Sequence, residues 1–350
     1  MKKYLIILVA VIIIILVVVT YFTCKKKPTP NSVGQNQGNI ANGTISNVGL
    51  DEKAFFPGLG RDGKTIYFLG DQGSKIKKFT IENRKTETLF NNELLYIQQV
   101  FWSPDKNKVI IKNNDPNASS STQLFNLDSN SEKDLSGNIQ NVLWSPDSNI
   151  IYYHYFDEDN GQNQLNFSNS DGSDWQNIID LEYTFYGLAW LNNFQDIGYW
   201  SVPSDLGGTI FNSVNISSKA IKDIIKDFKL GAAKASPDGS YFTYEKFDQK
   251  NNNYTIAYAK ADGSQDKDTG YVSSLEKIGW LNNKTLILSE RDKDTSSDTI
   301  FLIDVTTGGK TKIENNGDQL NINLDMKNIM PLDDKSFYFT SNDALYKLVW

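Results

Sequence analysis

One phrase recurs along this chain and limits its fold more than any other feature. It reads Phe101-Trp102-Ser103-Pro104-Asp105, then Leu143-Trp144-Ser145-Pro146-Asp147, then Ala235-Ser236-Pro237-Asp238-Gly239. Weaker copies keep the frame at Ala189-Trp190-Leu191-Asn192-Asn193 and at Gly279-Trp280-Leu281-Asn282-Asn283. The remnants Gly60-Arg61-Asp62-Gly63 and Pro331-Leu332-Asp333-Asp334 bring the set to seven, with neighbouring copies 42 to 51 residues apart. A repeat of about 40–45 residues is the length of one four-stranded propeller blade.

The interior of each repeat agrees. Runs rich in Ile, Val, Tyr and Phe follow every copy, as at Lys108–Lys112, Ile150–Tyr155 and Thr285–Ser289, and read as half-buried strands. A polar loop and a further strand come next. Ser170-Asp171-Gly172-Ser173 and Ala261-Asp262-Gly263-Ser264 then supply hairpin turns in which glycine takes a positive φ at low steric cost. Within the recurring phrase proline presets φ, and Asp can bond its own backbone, so the innermost strand ends sharply there. Each preceding tryptophan can bury about 150–250 Å², which a single blade cannot cover. Packing between blades is the role expected of Trp102, Trp144, Trp190 and Trp280.

The sequence therefore predicts an all-β, seven-bladed β-propeller over residues 44–350. Its last repeat stops at Trp350 after three strands. The strand-like segment Gly43–Leu50 is expected to supply the missing outer strand and close the ring, which removes exposed sheet edges.

Ahead of the repeats, Tyr4–Thr23 is an almost unbroken apolar run. Twenty residues at about 1.5 Å each match the ~30 Å bilayer core. Val18, Val19, Tyr21 and Phe22 stand where a cleavable signal carries small residues. The expectation is a single N-terminal transmembrane helix, an uncleaved signal-anchor over residues 1–24, followed by a flexible linker over 25–43 rich in Pro, Asn, Gln and Gly. The residues before Cys24 fit lipid acylation poorly. Lysines flank both ends of the run, so orientation rests on the long domain that follows, placed outside the cytoplasm.

Charge and rare residues exclude several function classes. The net charge is −7, and residues 1–27 carry five lysines and no acids, so the remainder is strongly acidic. Such a surface repels nucleic acid phosphates, and no nucleic-acid partner is expected. One cysteine and one histidine, His154, leave no disulfide framework, no thiolate metal site and no HExxH or GxSxG motif. Neither a cofactor nor a metal is expected. The loop Asp157-Glu158-Asp159-Asn160-Gly161 gathers oxygens but lacks the spacing and distal Glu of an EF-hand, and reads as a solvated turn. His154 lies in a strand between two tyrosines and reads as a packing or surface residue.

The Ser-Pro-Asp-Gly turn, the aromatic strand after it and the Asp-Gly-Ser turn resemble the WD40-like propeller repeats of the TolB family. That resemblance spans roughly residues 44–350 and implies a propeller. No helical domain of the TolB type accompanies it, and no hydrolase domain follows as in the propeller-bearing prolyl peptidases. Within the repeat, the Ser-Pro-Asp turns share one face of the disc, the turn face. The connections into the innermost strands share the other, here the loop face, with Gln98, Gln99, Gln140, Asn141, Phe185, Tyr186, Gly231, Glu276, Lys277 and Asn328. Loops on a rigid scaffold are where function concentrates. Gln98, Gln140, Asn141, Tyr186, Glu276 and Lys277 are the candidate ligand-binding residues at the channel mouth. Amides and rings suit a protein, peptide or glycan of the cell envelope. Paired carboxylates, which glycan hydrolysis needs, are not evident. The enzyme alternative is a glycan or ester hydrolase or lyase using Glu276 with another channel acid.

Overall fold

The computed structural model describes residues 39–350 apart from 92, 118–119, 185, 202–208, 229, 249–250, 252, 293–295 and 316–322. The described chain is an all-β propeller without an α-helix. Residues β1 (Asn39–Asn47) come first. The strands β2 to β5 (Phe55–Leu59, Thr65–Gly70, Lys75–Thr80, Lys85–Thr88) form one antiparallel sheet in chain order. The next is β6 to β9 (Ile97–Trp102, Lys108–Asn113, Ser121–Asn126, Ser131–Leu135). Then come β10 to β13 (Ile139–Trp144, Ile150–Asp157, Gln162–Asn169, Gln176–Asp180) and β14 to β17 (Tyr186–Leu191, Asp196–Ser201, Thr209–Asn215, Ile221–Phe228). The sheet β18 to β21 follows (Leu230–Ala235, Tyr241–Asp248, Asn253–Lys260, Lys267–Val272). Last are β22 to β25 (Ile278–Trp280, Thr285–Arg291, Asp298–Asp304, Lys310–Asn315) and β26 to β28 (Lys327–Asp333, Ser336–Ser341, Ala344–Val349).

The expectation of seven separate four-stranded blades is corrected by the behaviour of β1. Its first half, Asn39–Gly43, pairs parallel with Thr311–Asn315 of β25. Its second half, Thr44–Asn47, pairs antiparallel with Val349–Tyr346 of β28. The outcome is five separate four-stranded blades and one eight-stranded sheet ordered β22-β23-β24-β25-β1-β28-β27-β26. A sequence period counts repeats, but it does not register one strand bonding along both its edges. Gly43 sits where the strand crosses from one edge to the other. A Cβ there would lie 2.7 Å from Ile313 Cγ2, so the crossing requires glycine. Ile45 then inserts among Ile300, Ile313, Phe337, Phe339 and Leu348.

The expected transmembrane helix falls within residues 1–38, outside the described residues. Among the described residues no helix is long and apolar enough to cross a membrane.

Apolar clusters form between successive sheets rather than at one centre. Phe211 of one sheet meets Phe242 of the next edge-on at 4.8 Å, and Tyr152 meets Trp190 at 5.0 Å. The tryptophans also bond across these junctions. The indole Nε1 of Trp102 donates to Phe56 O (2.7 Å), Trp144 to Phe101 O (3.0 Å), Trp190 to Trp144 O (2.7 Å) and Trp280 to Lys234 O (3.0 Å). Each acceptor is a carbonyl of the preceding innermost strand. A buried indole with its N–H satisfied keeps its full apolar contribution without an unpaired donor.

The Ser-Pro-Asp turns hold themselves through the serine as well as the aspartate. The hydroxyls of Ser145 and Ser236 donate to Asp147 and Asp238 and accept the N–H groups of Ile150 and Tyr241. The Ser145 hydroxyl, with help from Asn149, keeps the Asp147 carboxyl below its ordinary pKa. Gly172 and Gly263 take φ of 81° and 79° in their hairpins, the left-handed region that favours glycine.

Candidate functional site

Three groups of side chains occupy the loop face. The first is built where β10 meets β14. Gln140 accepts from Lys112 Nζ at 2.7 Å through Oε1 and donates through Nε2 to Asn138 O at 3.2 Å. Lys112 is buried and also donates to Ile139 O at 2.7 Å. With no acid beside it, burial lowers its pKa to about 8. Asn141 Nδ2 donates to Tyr186 O at 3.0 Å and so ties two innermost strands together. The Tyr186 hydroxyl accepts the N–H groups of Tyr183 and Glu182 (2.9 and 3.3 Å), closing the loop ahead of its own strand. Burial pushes its pKa up to about 12. His154 lies edge-on to the Tyr186 ring at 5.3 Å and bonds Asn163 Oδ1 through Nε2 at 2.8 Å. It is fully buried, and burial lowers its pKa to about 4. Phe185 lies outside the described residues.

The second group is an ion cluster from the one-turn 3-10 segment Leu275–Lys277 and the ends of β23, β24 and β26. Lys277 Nζ bonds both carboxylate oxygens of Asp298 (2.9 and 2.8 Å) and reaches Asp325 at 2.7 Å. The Asp298 side chain is fully buried and also accepts Ser289 Oγ and Met326 N, each at 2.7 Å. Lys327 bridges Glu276 (3.3 Å) and Asp325 (3.8 Å), and Arg291 stands 3.9 Å from Asp325. Three acids meet three bases. The hydrogen bond from Lys277 holds Asp325 below the usual carboxylate range, and Glu276 holds Lys327 above the usual lysine range. An acid kept protonated at neutral pH, which glycosidic cleavage uses, needs the opposite environment.

The third group is a hollow of about 220 Å³ lined by Phe55, Phe56, Gln72, Gly73, Leu94, Tyr96 and Ile97. Phe56, Leu95 and Tyr96 are 42%, 56% and 52% exposed. Phe56, Gln72 and Tyr96 all adopt positive φ (49°, 61° and 54°). Bulky residues rarely accept that region, so this rim is locally strained. Gln98 is exposed on the strand that Tyr96 leads into.

The structure thus joins Gln140, Asn141 and Tyr186 in one network and Glu276 with Lys277 in another. Sequence reasoning counted one carboxylate on this face and missed Asp298, Asp325, Arg291 and Lys327. They sit at the far ends of later strands or before β26, and only the sheet order brings them beside Lys277. The nearest signal in the sequence was the charged run Asp292-Lys293-Asp294. The rim of Phe56 and Tyr96 was missed because an apolar residue beside a strand reads as core. Among the described residues no group of three or more His, Cys, Asp or Glu side chains could hold a metal ion. The acidic loop 157–161 closes on itself, with Asn160 bonding both oxygens of Asp157.

No family model matches the sequence. No curated protein matches it either. Solved structures do match in fold. TolB from Acinetobacter baumannii aligns at 10% identity with a TM-score of 0.50, covering 75% of this chain and 63% of that one. An oligogalacturonate lyase from Vibrio parahaemolyticus aligns at 14% identity with a TM-score of 0.60, covering 89% and 98%. The β-propeller domain of the Trilobed protease from Pyrococcus furiosus, described as having an open velcro topology, aligns at 12% identity with a TM-score of 0.56, covering 85% and 92%. This chain spans less than two thirds of the TolB chain, 63% of its length. At these identities the likeness concerns the fold alone, and it is the fold of a β-propeller, which TolB shares.

Proposed function

We propose that this chain is a binding module of the cell envelope whose loop face takes a segment of a protein, peptide or glycan. The observation that carries the reading is the state of the polar groups there. Glu276, Asp298 and Asp325 are each engaged by Lys or Arg, while half-exposed Phe56 and Tyr96 line a hollow beside exposed Leu95 and Gln98. Neutralised acids hold the loops in place. Exposed rings and aliphatic side chains on a rigid scaffold gain most from covering by a ligand. A location outside the cytoplasm, at the membrane, belongs to the same proposal and rests on the apolar run Tyr4–Thr23.

Photo-crosslinking from position 96 of the full chain in intact cells tests the reading. A discrete adduct that disappears in Phe56→Ser supports it. The rival reading is an enzyme using Glu276. Turnover of an oligogalacturonide, neutral glycan or ester panel, with or without manganese, that Glu276→Gln abolishes would replace the binding proposal. Full protection of the propeller from protease added to spheroplasts would overturn the location.

A further inference from the structure

We propose that the cleft between β9 and the exposed flank of the β10–β13 sheet is a second binding site, separate from the loop face, and that it takes a neutral saccharide. The cleft holds about 400 Å³. Its floor is the β11–β12 pair, where cross-strand partners match a ring with an amide: Tyr153 opposite Asn166 and Tyr155 opposite Gln164. Gln162, Gln164 and Asn166 alternate along β12, so they share one face at about 6.6 Å spacing. Where the corresponding strand β20 has Asn253, Thr255 and Ala257, β12 has Gln162, Gln164 and Asn166. Gln162 is exposed and Gln164 half-buried, and Tyr153 and Asn166 lie buried at the base of the cleft. Lys133 to Ser136, at the end of β9 and just beyond, form the opposite wall, and Trp175, 59% exposed, stands at one end.

The chemistry of the lining selects the ligand. Asn166 is 2% exposed, and its Oδ1 is buried without a hydrogen-bond partner. A buried acceptor in that state costs free energy until a donor reaches it. The charged groups are already engaged. Lys133 pairs with Asp171 at 3.2 Å, and Asp134 accepts Gln123 Nε2 at 3.1 Å. Asn166 Nδ2 donates to Gln164 Oε1 (3.4 Å), Gln164 Nε2 to Asp180 (3.3 Å) and Asn138 Nδ2 to the Tyr155 hydroxyl (3.3 Å), so what remains for a ligand is the Gln162 amide, Asn166 Oδ1 and the faces of Trp175 and Tyr155. A sugar ring presents hydroxyl donors and acceptors at its edge and an apolar C–H face for an aromatic ring, which is the match this cleft offers. An acidic sugar would meet Asp134 and Asp171 with no free cation among the lining residues.

Cellotetraose, chitotetraose and maltotetraose are the probes, titrated into the full chain by tryptophan fluorescence and saturation-transfer NMR. At least one is expected to bind. Trp175→Ala is expected to weaken it about tenfold or more, Trp175→Phe less, and Asn166→Asp about as much as Trp175→Ala. Circular dichroism verifies the fold of each variant, and Trp175 is exposed enough for its replacement to leave the core intact. Tyr254→Ala, an exposed ring on a different sheet and outside both sites, is expected to leave saccharide binding unchanged. Absence of binding by all three probes, binding unaffected by Trp175→Ala, or preference for an oligogalacturonide over the neutral sugars would overturn this assignment.

Discussion

Replacing Asp298 with alanine removes a fully buried carboxylate that holds Lys277, Ser289 and Met326 together. Lys277, only 13% exposed, would keep Asp325 as its remaining acid. Removing one partner of a buried ion pair costs about 3–5 kcal/mol. The surviving partner Asp325 moves that figure to its lower end. The Met326 N–H and the Ser289 hydroxyl lose their acceptor in a buried site, at about 1 kcal/mol or more each. The working value is about 4 kcal/mol, because such terms overlap rather than add. At about 2 °C per kcal/mol for a large domain, the thermal midpoint of the full chain falls by about 8 °C. Replacing both charges, as Lys277→Met with Asp298→Leu, is expected to cost less than Asp298→Ala alone, since no charge is then left buried and unpaired. Thermal melts followed by circular dichroism at neutral pH supply the numbers. A single-variant loss below about 1 kcal/mol, or a double variant that loses the sum of the two single variants, refutes the structural role given to this cluster.

His154 makes stability depend on pH. Its pKa is about 4 in the fold, chiefly because of burial, against an ordinary 6.5. Between those values the unfolded chain binds a proton that the native chain refuses. Stability is therefore full above about pH 6.5 and falls by up to about 3 kcal/mol as pH drops to 4, and urea melts of His154→Gln should lack that slope. Trp144→Phe leaves the Phe101 carbonyl without its indole donor and should cost about 1–2 kcal/mol in the same melts, with little change in circular dichroism. Gly239→Ala forces a Cβ to 2.7 Å from Trp190 O at φ +67°, so a loss above about 1 kcal/mol is expected, against no loss for Gly161→Ala in excess of its own positive-φ strain, since Gly161 has open space around it.

The repeat was legible because its physics is local. A Ser-Pro-Asp turn needs those residue types at those positions, and a tryptophan that must be covered by the preceding sheet leaves its mark in every repeat that carries one. Strand alternation did the rest, and Asp-Gly located the hairpins at Gly172 and Gly263. The double pairing of β1 was not legible. Asn39–Asn42 has the composition of a linker, and its strand conformation comes from two sheet edges that the sequence does not show side by side. The same reason hid the ion cluster. Asp298 and Asp325 lie 27 residues apart and meet Lys277 only through the order β22-β23-β24 and the approach of β26. The partners of the amides were not legible either, because Gln140 and Asn141 each bond a segment distant in sequence, Lys112 and Tyr186.

The junctions that lack a tryptophan show what the indoles accomplish elsewhere. Ala235 stands where four other copies of the repeat have Trp, and at that junction the two turns bond directly through backbone. Asn192 N donates to Gly239 O at 2.8 Å and Asn193 N to Asp238 O at 3.0 Å. Those bonds require Asn192 and Asn193 at φ of 52° and 51°, a region that asparagine tolerates better than most residues. Between β22 and β26 the link is Asn282 Nδ2 to Asp334 Oδ1 at 3.2 Å, with Gly279 admitting Ile329. The Asn-Asn copies of the repeat are thus not decayed Ser-Pro-Asp turns. They join neighbouring innermost strands through turn atoms where an indole does not reach, which is why the phrase varies while the spacing holds.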